Sequence, residues 1–371
     1  MRLPTEKAHG LTIVKSCDAF ARAGAAVTLV IPRRKTHIQT DIFETYGVGK
    51  TFSVCTVPTI DWLYTHGQTA SWLASLIFAY GVFFLLLFLP KKGSVIYTRE
   101  ISLLPLHIVG MPAILESHHV FAKRTLYFAL ARAAQGIVVI SQALKRTFVR
   151  IGFRENTIIV EPSGVDLATF SIATPRAEAR AMLALPIETP VIVYTGNFTT
   201  MGADKGIHDI LHAMQRVKHA LFVAAGGSTT DIKHYQAEAE ALGVAAQVRF
   251  VGFMPQSLLA QYQCAADILL MPFPDMPHYR NNMSPVKMFE YMASGRPIIA
   301  TDLPTIREVL NEENAVLIPP GDSDALACTV HTLLNDPTLG ERLAQRAKKD
   351  VSRYEWSERS RRILDFIQDR S

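Results

Sequence analysis

The chain alternates short apolar runs with longer stretches in which apolar residues recur every three or four positions. The short runs have the length of buried strands and the longer stretches have the period of amphipathic helices, so the pattern predicts strand–helix–strand units with parallel sheets. The predicted strands lie at 27–31, 51–55, 95–98, 113–116, 137–141 and 158–160, and then at 191–194, 221–225, 248–251, 268–271, 297–300 and 316–318. The predicted helices lie at 10–23, 124–134, 142–151, 207–217, 237–242 and 285–294. This pattern indicates an α/β fold.

A break in the pattern divides the chain into two series of strands. Turn residues at 161–166 are followed by a polar, proline-containing segment at 173–189. A length of 371 residues also favours two domains. We therefore predict a Rossmann-like domain at 1–170, a second one at 171–352, and a final helix within 353–371. Ligands of such sheets bind at the carboxyl ends of the strands, which favours a cleft that the two domains face.

The beginning of the chain departs from this pattern. Residues 1–8 are loop-like and lead directly into the predicted helix at 10–23. A doubly wound domain usually begins with a strand that precedes its first helix. We therefore expect the first strand of the N-terminal domain to be missing.

Residues 72–89 form an uncharged apolar segment, which Lys91 and Lys92 follow. Its length is at the lower limit for a membrane-spanning helix. A crossing would also place the strands at 51–55 and 95–98 on opposite sides of a membrane, where they could not share a sheet. A helix that rests on a membrane surface and a buried core helix are the other interpretations, and we favour the first of these.

The charge balance excludes one class of partner. Lys and Arg number 38 against 33 Asp and Glu, and no window combines dense basic residues with aromatic residues, so nucleic-acid binding is not predicted. An anionic small substrate or an anionic membrane surface agrees with this balance. The four cysteines are far apart, and we identify no histidines at a metal-ligand spacing such as His-x-x-x-His, so we expect no metal site, no cofactor and a cytoplasmic location.

The segment at 284–295 has the most informative local pattern. Ser284 suits a helix N-cap, Pro285 the first helical position and Gly295 the C-terminal cap. Lys287 and Glu290 are three residues apart and share a helical face. A cation at a helix start suits a diphosphate, and a carboxylate one turn later can accept two hydrogen bonds from a ribose. A surface ion pair is the alternative interpretation.

Two other loops carry candidate residues. Gly196 ends a predicted strand and Lys205 precedes a predicted helix, which is the general form of a phosphate-binding loop. Neither a G-x-G-x-x-G motif nor a P-loop motif is present. His118 follows the strand at 113–116, where a polar side chain can bond a sugar hydroxyl or a leaving phosphate. A loop histidine without a function is the alternative.

Together these motifs resemble a known family. The run Ser-Pro-Val-Lys-Met-Phe-Glu-Tyr-Met-Ala-Ser-Gly-Arg-Pro-Ile-Ile-Ala at 284–300 is similar to the donor-site motif of family 4 retaining glycosyltransferases, which have the two-domain GT-B fold. The glycine loops at 196, 205–206 and 226–227 and the segment at 163–166 are similar to that family as well. The resemblance covers essentially the whole chain, and its specific part is 284–295.

The resemblance implies roles for individual residues. Glu290 would bind the nucleotide ribose, Lys205 and Lys287 would hold the diphosphate, and His118 would lie near the transferred sugar and the acceptor. The final helix would cross back onto the N-terminal domain. The donor-binding set is Gly196, Asn197, Lys205, Asn282, Ser284, Pro285, Val286, Lys287 and Glu290.

Two positions depart from the pattern of the family. Asn282 stands where many members have a glutamate, and Asn197 stands where an arginine often follows the first glycine. The first change alters the expected contact with the donor sugar. The second leaves Lys205 with more of the phosphate charge.

We therefore expect a metal-independent hexosyltransferase of polysaccharide biosynthesis that acts with retention. It would move a hexose from a nucleotide diphosphate sugar to a lipid-linked or cell-surface glycan acceptor, at the inner face of the membrane. A nucleotide-sugar epimerase on the same fold is one alternative. A catalytically silent protein that binds nucleotide sugars or acts as a scaffold is another.

Overall fold

The computed structural model describes residues 2–61, 67–119, 125–200 and 202–370. It divides into two compact units, of which the first comprises Met1–Pro162 and Trp356–Ser371 and the second comprises Ser163–Glu355. The helices and strands of the first unit are α1 Ala8–Arg22, β1 Thr28–Pro32, α2 Ile42–Tyr46, β2 Ser53–Val57, α3 Gly67–Leu87, β3 Ile96–Thr98, β4 Ala113–Ser117, α4 Thr125–Ala131, β5 Gly136–Val139, α5 Gln142–Arg150, β6 Ile158–Val160 and, at the end of the chain, α16 Trp356–Gln368. Short 3-10 helices lie at Ile101–Val109 and Glu155–Thr157.

The strands of the first unit form two separate parallel sheets. One consists of β1 and β2, and the other has the order β3-β4-β5-β6. Among the described residues no strand joins the two sheets. A doubly wound sheet that lacks its central first strand would be divided in this way.

Helices from both ends of the chain share one core in the first unit. Phe20 of α1 and Phe366 of α16 pack with Ile114 of β4 and Val138 of β5. The ring centroid of Phe20 lies 5.3 Å from that of Tyr97 in β3. Burial of these large apolar side chains makes α16 part of the first unit, although it follows the second unit in sequence.

The apolar segment at 72–89 is largely helical and belongs to α3. One side of α3 is buried, with Phe78, Val82 and Leu86 packed in the core of the first unit. The other side is exposed and consists of Leu73, Leu76, Tyr80, Phe84 and Leu87, with Phe88 beyond the helix end. In the parts of the chain that the structure describes, no helix has both the length and the apolar character that a membrane crossing needs.

The second unit contains the remaining elements. They are α6 Leu167–Phe170, α7 Arg176–Met182, β7 Val191–Thr195, β8 Thr199–Thr200, β9 Ala203–Asp204, α8 Ile207–Met214, β10 Leu221–Ala225, α9 Thr229–Ala241, β11 Val248–Val251, α10 Gln256–Ala265, β12 Ile268–Met271, α11 Pro277–Asn281, α12 Val286–Ser294, β13 Ile298–Thr301, α13 Pro304–Arg307, β14 Val316–Ile318, α14 Ser323–Asn335 and α15 Pro337–Asp350. Short 3-10 helices lie at Ala245–Gln247 and Val351–Tyr354.

The sheet of the second unit has a complete doubly wound order. Its six strands are parallel and run β11-β10-β7-β12-β13-β14. The first strand, β7, therefore lies in the middle, and the direction of winding reverses between β7 and β12. Open α/β sheets bind ligands outside the carboxyl ends of the strands at this reversal. The loops after β7 and β12 are thus the place to look for a site.

Most predicted elements occur close to their predicted positions, but one helix start was wrong. The structure begins α9 at Thr229, well before the predicted start at residue 237. Ser228 and Asp231 cap each other's main-chain N–H groups, which starts the helix in a polar stretch where apolar periodicity gives no signal. The predicted helix at 124–134 begins outside the described residues, and its described part is α4.

Candidate functional site

The start of α12 differs from its prediction in one detail. The N-cap is Pro285 rather than Ser284, and no side chain caps the first turn. The Ser284 hydroxyl is used elsewhere: its oxygen accepts a hydrogen bond from the Ser163 main-chain N–H at 2.8 Å, and its carbonyl accepts one from the Ser163 hydroxyl at 2.7 Å. A tertiary contact has therefore replaced the cap, and the first turn keeps uncapped N–H groups and their positive end of the helix dipole.

Lys287, in the first turn of α12, is a buried cation. The residue is only 9% exposed, and its Nζ has no hydrogen-bond partner among the described residues. The Nζ lies 3.4 Å from the centroid of the Tyr194 ring, a cation–π contact. Burial and the nearby Lys205 hold the pKa of Lys287 well below its usual value, although Glu290 and Asp204 oppose this. A bound anion would supply the missing hydrogen-bond partner and stabilise the charged form of this side chain.

Lys205 lies near Lys287, and His278 lies near Lys205. Burial lowers the pKa of Lys205 to about 8, and Asp231 opposes the shift. Burial and the charge of Lys205 also lower the pKa of His278. The charge of Lys205 thus disfavours protonation of both Lys287 and His278. The group therefore has a positive potential that a phosphate would relieve.

Tight glycine turns allow the main chain to approach this group. Gly196 follows β7 with a φ of 103°, and a Cβ added there would stand 3.6 Å from the Lys287 Nζ. Gly226 follows β10, and a Cβ there would meet the Gly196 carbonyl oxygen at 2.3 Å. Gly206 would bring a Cβ to 1.9 Å from the Pro272 carbonyl oxygen after β12. Side chains are thus excluded where the loops after β7, β10 and β12 converge.

Glu290 lies one turn further along α12 and is buried. Its two carboxylate oxygens accept long hydrogen bonds from Gln256 Nε2 at 3.4 Å and Gln263 Nε2 at 3.5 Å. The neighbouring Tyr291 fixes this helix to the sheet, because its hydroxyl accepts a hydrogen bond from the Thr195 main-chain N–H at 2.8 Å. These two bonds are long and therefore weak, so a ligand can exchange them for shorter ones.

The start of α8 differs from the phosphate loop that its sequence suggested. The Asp204 carboxylate accepts hydrogen bonds from the main-chain N–H groups of Gly206, at 2.5 Å, and Ile207, at 3.2 Å. It also accepts one from the Tyr235 hydroxyl at 2.5 Å. These N–H groups are therefore occupied, and this loop offers an anion the Lys205 side chain rather than its helix start.

The two asparagines at family-variable positions both lie in the second unit. The Asn197 carbonyl accepts a hydrogen bond from the Tyr194 hydroxyl at 2.9 Å, which fixes the turn after β7. Asn282 is the C-cap of α11, and its main-chain N–H donates to the His278 carbonyl at 2.9 Å. Asn282 and Val286 are half-buried. All the predicted donor-binding residues therefore belong to the unit that contains the complete sheet.

His118 lies in the first unit, where it contacts a residue that the sequence did not single out. Its Nε2 is 3.0 Å from a carboxylate oxygen of Glu116, which ends β4 and is 2% exposed. Burial and Arg99 lower the pKa of His118 to about 4, against the opposing effect of Glu116. A neutral imidazole that donates from Nε2 keeps an acceptor lone pair at Nδ1.

Glu116 is the centre of a buried polar network. Besides His118, it accepts hydrogen bonds from Arg99 at 2.9 Å, Arg359 of α16 at 2.8 Å and the Tyr97 hydroxyl at 2.8 Å. Burial alone would raise the pKa of Glu116, but the two guanidinium groups and His118 hold it well below its usual value. Arg99 stands at the end of a predicted strand and is only a weak candidate from sequence, and no sequence pattern points to Arg359.

The interpretation that no histidines stand at a metal-ligand spacing was wrong. His208 and His212 are four residues apart in α8, which is a metal-ligand spacing on a helix, and Glu238 of α9 lies beside them. The ligand atoms of these three side chains all lie within 4.8 Å of one another. The His-x-x-x-His pair was visible in the sequence; only the position of α9 required the structure.

Part of the second unit is similar in sequence to a known family of proteins. Residues 189–336 match the family model of the group 1 glycosyl transferases. Over 241 residues the chain is 29% identical to a D-inositol 3-phosphate glycosyltransferase of Xylanimonas cellulosilytica, a match that covers 63% of this chain and 56% of that protein. Over 209 residues it is 26% identical to the phosphatidyl-myo-inositol mannosyltransferase of Mycolicibacterium smegmatis, covering 55% of this chain and 50% of that protein. The chain thus matches little more than half the length of these relatives.

Solved structures extend the likeness over nearly the whole chain. Anabaena HepE in complex with UDP and glucose gives a TM-score of 0.76 at 17% identity, covering 99% of this chain and 98% of that one. Sucrose-phosphate synthase from Thermosynechococcus elongatus gives 0.75 at 20% identity, covering 96% and 92%. At these identities the likeness shows the fold. The predicted class, an α/β fold with Rossmann-like domains of the GT-B type, is confirmed.

Proposed function

We propose that this chain is a glycosyltransferase that moves a hexose from a nucleotide diphosphate sugar to a lipid-linked or glycan acceptor. One observation carries the proposal: Lys287 is a buried, unpaired ammonium at the uncapped start of α12. The charge of Lys205 adds to the positive potential there. A diphosphate that reaches this place gains charge-assisted hydrogen bonds and relieves the repulsion among the cations.

Glu290 supplies the second half of the donor site. It is three residues along the same helix from Lys287, and its partners include amide groups at 3.4 and 3.5 Å. A ribose can replace these long bonds with two shorter hydroxyl bonds to the carboxylate. A cation for the diphosphate and a carboxylate for the ribose on one helix face, with Lys205 nearby, make a nucleoside diphosphate the ligand that fits best.

The same groups support the chemical step that we propose. As the bond between the anomeric carbon and the diphosphate breaks, negative charge grows on the leaving phosphate. Lys205, Lys287 and the dipole of α12 stabilise that charge without a metal ion. We propose retention at the anomeric carbon on the resemblance of 284–300 to the donor motif of retaining enzymes. The Nδ1 lone pair of His118 is suited to accept a hydrogen bond from a sugar hydroxyl.

Similar proteins support the donor and suggest the acceptor class. HepE is a structural neighbour that was solved with UDP and glucose, and also with UDP-glucose. The M. smegmatis relative is named for a phosphatidyl-myo-inositol and a mannosyl group. These names favour a uridine diphosphate sugar as the first donor to test and a lipid-linked acceptor.

The exposed side of α3 supports contact with a membrane surface. Leu76, Tyr80 and Phe84 share one helix face, and Phe88 beyond it is 86% exposed. No Asp or Glu occurs between Asp61 and Glu100, whereas Lys91 and Lys92 follow the helix and are exposed. An apolar face flanked by cations and free of acidic residues matches an anionic lipid surface. We propose that α3 rests on the inner face of the membrane.

Sedimentation with lipid vesicles tests this contact. The wild-type protein should bind phosphatidylcholine vesicles more strongly when they contain phosphatidylglycerol. Tyr80→Ser with Phe84→Ser should reduce binding to both vesicles, whereas Phe253→Ser, an exposed position in the second unit, should not. If the protein instead dimerises through this face without lipid and does not bind vesicles, the partner of this face is a second copy of the chain and not a membrane.

Release of nucleoside diphosphate from a panel of donors tests the proposed activity. Glu290→Ala and Lys205→Ala should abolish transfer and weaken donor binding, while Lys218→Ala, an exposed lysine of the same unit, should have no effect. Circular dichroism serves to check that each variant is folded. An altered donor sugar without an acceptor would indicate an epimerase. Donor binding with neither product nor nucleotide release would indicate a silent binding protein.

A further inference from the structure

Two helices of the second unit bring four metal-ligating side chains together on one surface. His208 and His212 lie in α8, and His234 and Glu238 lie in α9, so each helix contributes two residues four positions apart. His208 Nδ1 is 2.5 Å from one oxygen of Glu238, and His234 Nε2 is 4.0 Å from the other. The rings of His208 and His212 have centroids 4.4 Å apart. Side chains at this spacing lie on the same face of each helix.

The helices that carry this cluster are firmly placed. The inner faces of α8 and α9 belong to one core, which includes Ile207, Leu211 and Tyr235. The Tyr235 hydroxyl donates to Asp204 just before α8, and Gln215 Nε2 donates to the Leu242 carbonyl at 3.2 Å at the other end of the pair. The ligating atoms therefore project from supports that are fixed at both ends.

The donor set has a clear chemical preference. Two imidazole nitrogens and one carboxylate oxygen are borderline ligands that suit Zn²⁺, and also Ni²⁺ or Cu²⁺, better than Mg²⁺ or Ca²⁺. The ligand atoms of His208, His212 and Glu238 lie within 4.8 Å of one another, so rotations about side-chain bonds can bring them around one ion. His208 is exposed, which leaves room for water at a remaining position.

We propose that His208, His212 and Glu238 form a binding site for a divalent transition-metal ion that joins α8 to α9. The site shares no residue with the proposed transfer chemistry, although Lys205 lies only three positions before His208. An ion there links the helix that follows Lys205 to the helix that carries Asp231, whose charge acts on Lys205. Its occupancy therefore adds rigidity to the elements beside the candidate donor site.

Zinc titration of the tag-free protein by calorimetry tests the proposal. We expect one equivalent of Zn²⁺ to bind and to raise Tm. His212→Ala and Glu238→Gln should each weaken Zn²⁺ binding roughly 10-fold or more. His219→Ala, an exposed histidine outside the cluster, should bind Zn²⁺ as the wild type does.

Cobalt provides a second readout that does not depend on activity. Bound Co²⁺ should give visible ligand-field absorption, which His212→Ala should remove and His219→Ala should keep. The proposal is overturned if Zn²⁺ does not saturate at one equivalent, or if His212→Ala and Glu238→Gln bind it as tightly as the wild type. Because binding and Tm are measured without a donor, failure here leaves the proposed transferase activity untouched, and the reverse also holds.

Discussion

Lys287 shows at the scale of a single residue how a binding site lowers the stability of the free protein. Its ammonium group is buried over the Tyr194 ring and lacks a hydrogen-bond partner in the described part of the chain. Burying a charge without a counter-ion is unfavourable, and the lowered pKa of Lys287 expresses that cost. The cost is recovered when an anion binds.

Lys287→Met should therefore stabilise the free protein and weaken its binding to UDP. The methionine keeps the apolar volume against Tyr194 and removes the buried charge, so Tm should rise. Loss of a charge-assisted bond should weaken UDP binding roughly 10- to 100-fold. Thermal unfolding and calorimetric titration measure the two effects. A fall in Tm together with unchanged UDP affinity would show that Lys287 is a structural residue.

Lys205 should make UDP binding depend on pH. Its pKa in the free protein is lowered to about 8, and a bound diphosphate favours the charged form. Above pH 8 the free protein must take up a proton on binding, so affinity should fall roughly tenfold per pH unit up to the pKa of the complex. Calorimetry between pH 7 and pH 9 measures this. Lys205→Arg, which stays charged, should flatten the profile; a profile as steep as that of the wild type would assign the proton to another group.

The pH dependence of folding stability that Lys205 causes should be opposite in sign to that of UDP binding. The pKa of Lys205 is lower in the folded chain than its usual value of 10.5, so the unfolded chain binds more protons between pH 8 and pH 10.5. The contribution of Lys205 to stability therefore increases with pH across this window. Binding and stability should thus change with opposite sign, which separates loss of affinity from loss of structure.

Residues that act through local signals could be predicted from the sequence, and those that act through distant contacts could not. Lys287 and Glu290 lie on one short helix, and their spacing alone places them on one face. Ser284 was assigned as a cap because its residue type fits, but its partner Ser163 is 121 positions away. Glu116 and Arg359 are 243 positions apart. No periodicity can report such a pair.

At the scale of elements, α16 is held to the first unit by buried charge as well as by apolar packing. Arg359 and Glu116 are each 2% exposed and are 2.8 Å apart. Arg362, half-buried, adds two bonds of 2.9 Å to Glu161. Removing one member of such a buried pair leaves the other charge without its partner.

Arg359→Met should strongly destabilise the first unit. We expect a loss of about 3–5 kcal/mol in the free energy of unfolding, because Glu116 remains buried with fewer donors. Arg361→Met, at an exposed position on the same helix, should change it far less. Urea unfolding measures both. Equal effects of the two substitutions would contradict the role of the buried pair.

Acid should weaken the same network. The folded pKa of Glu116 is well below its usual value of 4.5, so its contribution to stability is present above that value and is lost as the pH falls towards the folded pKa.

Elements that are held by apolar runs were easier to predict from the sequence than elements that begin at polar caps. β10, β11, β12 and β14 have their predicted bounds, whereas α9, which begins at a polar capping box, does not.

At the scale of the whole molecule, the division into units separates the donor site from the end of the chain. All the predicted donor-binding residues lie within Ser163–Glu355. α16 follows them in sequence but contributes Ile363 and Phe366 to the core of the first unit. Its removal should therefore affect one unit more than the other.

A chain that ends at Glu355 should still bind UDP. In calorimetric unfolding, the first unit should unfold at a lower temperature, because Ile114 and Val138 lose their packing against the side chains of α16. The transition that UDP raises should keep its midpoint. If the shortened chain keeps a folded second unit but does not bind UDP, the donor site requires more than that unit.

The divided sheet of the first unit has a consequence for handling and engineering the protein. Within the described residues, β1 pairs only with β2, and β3 pairs only with β4. Each strand therefore has a row of main-chain donors and acceptors that no neighbouring strand uses, and such edges promote self-association. Self-association should therefore increase with protein concentration unless these edges are covered. A short synthetic peptide of high β-propensity, added in trans, is a rational way to cover one of them.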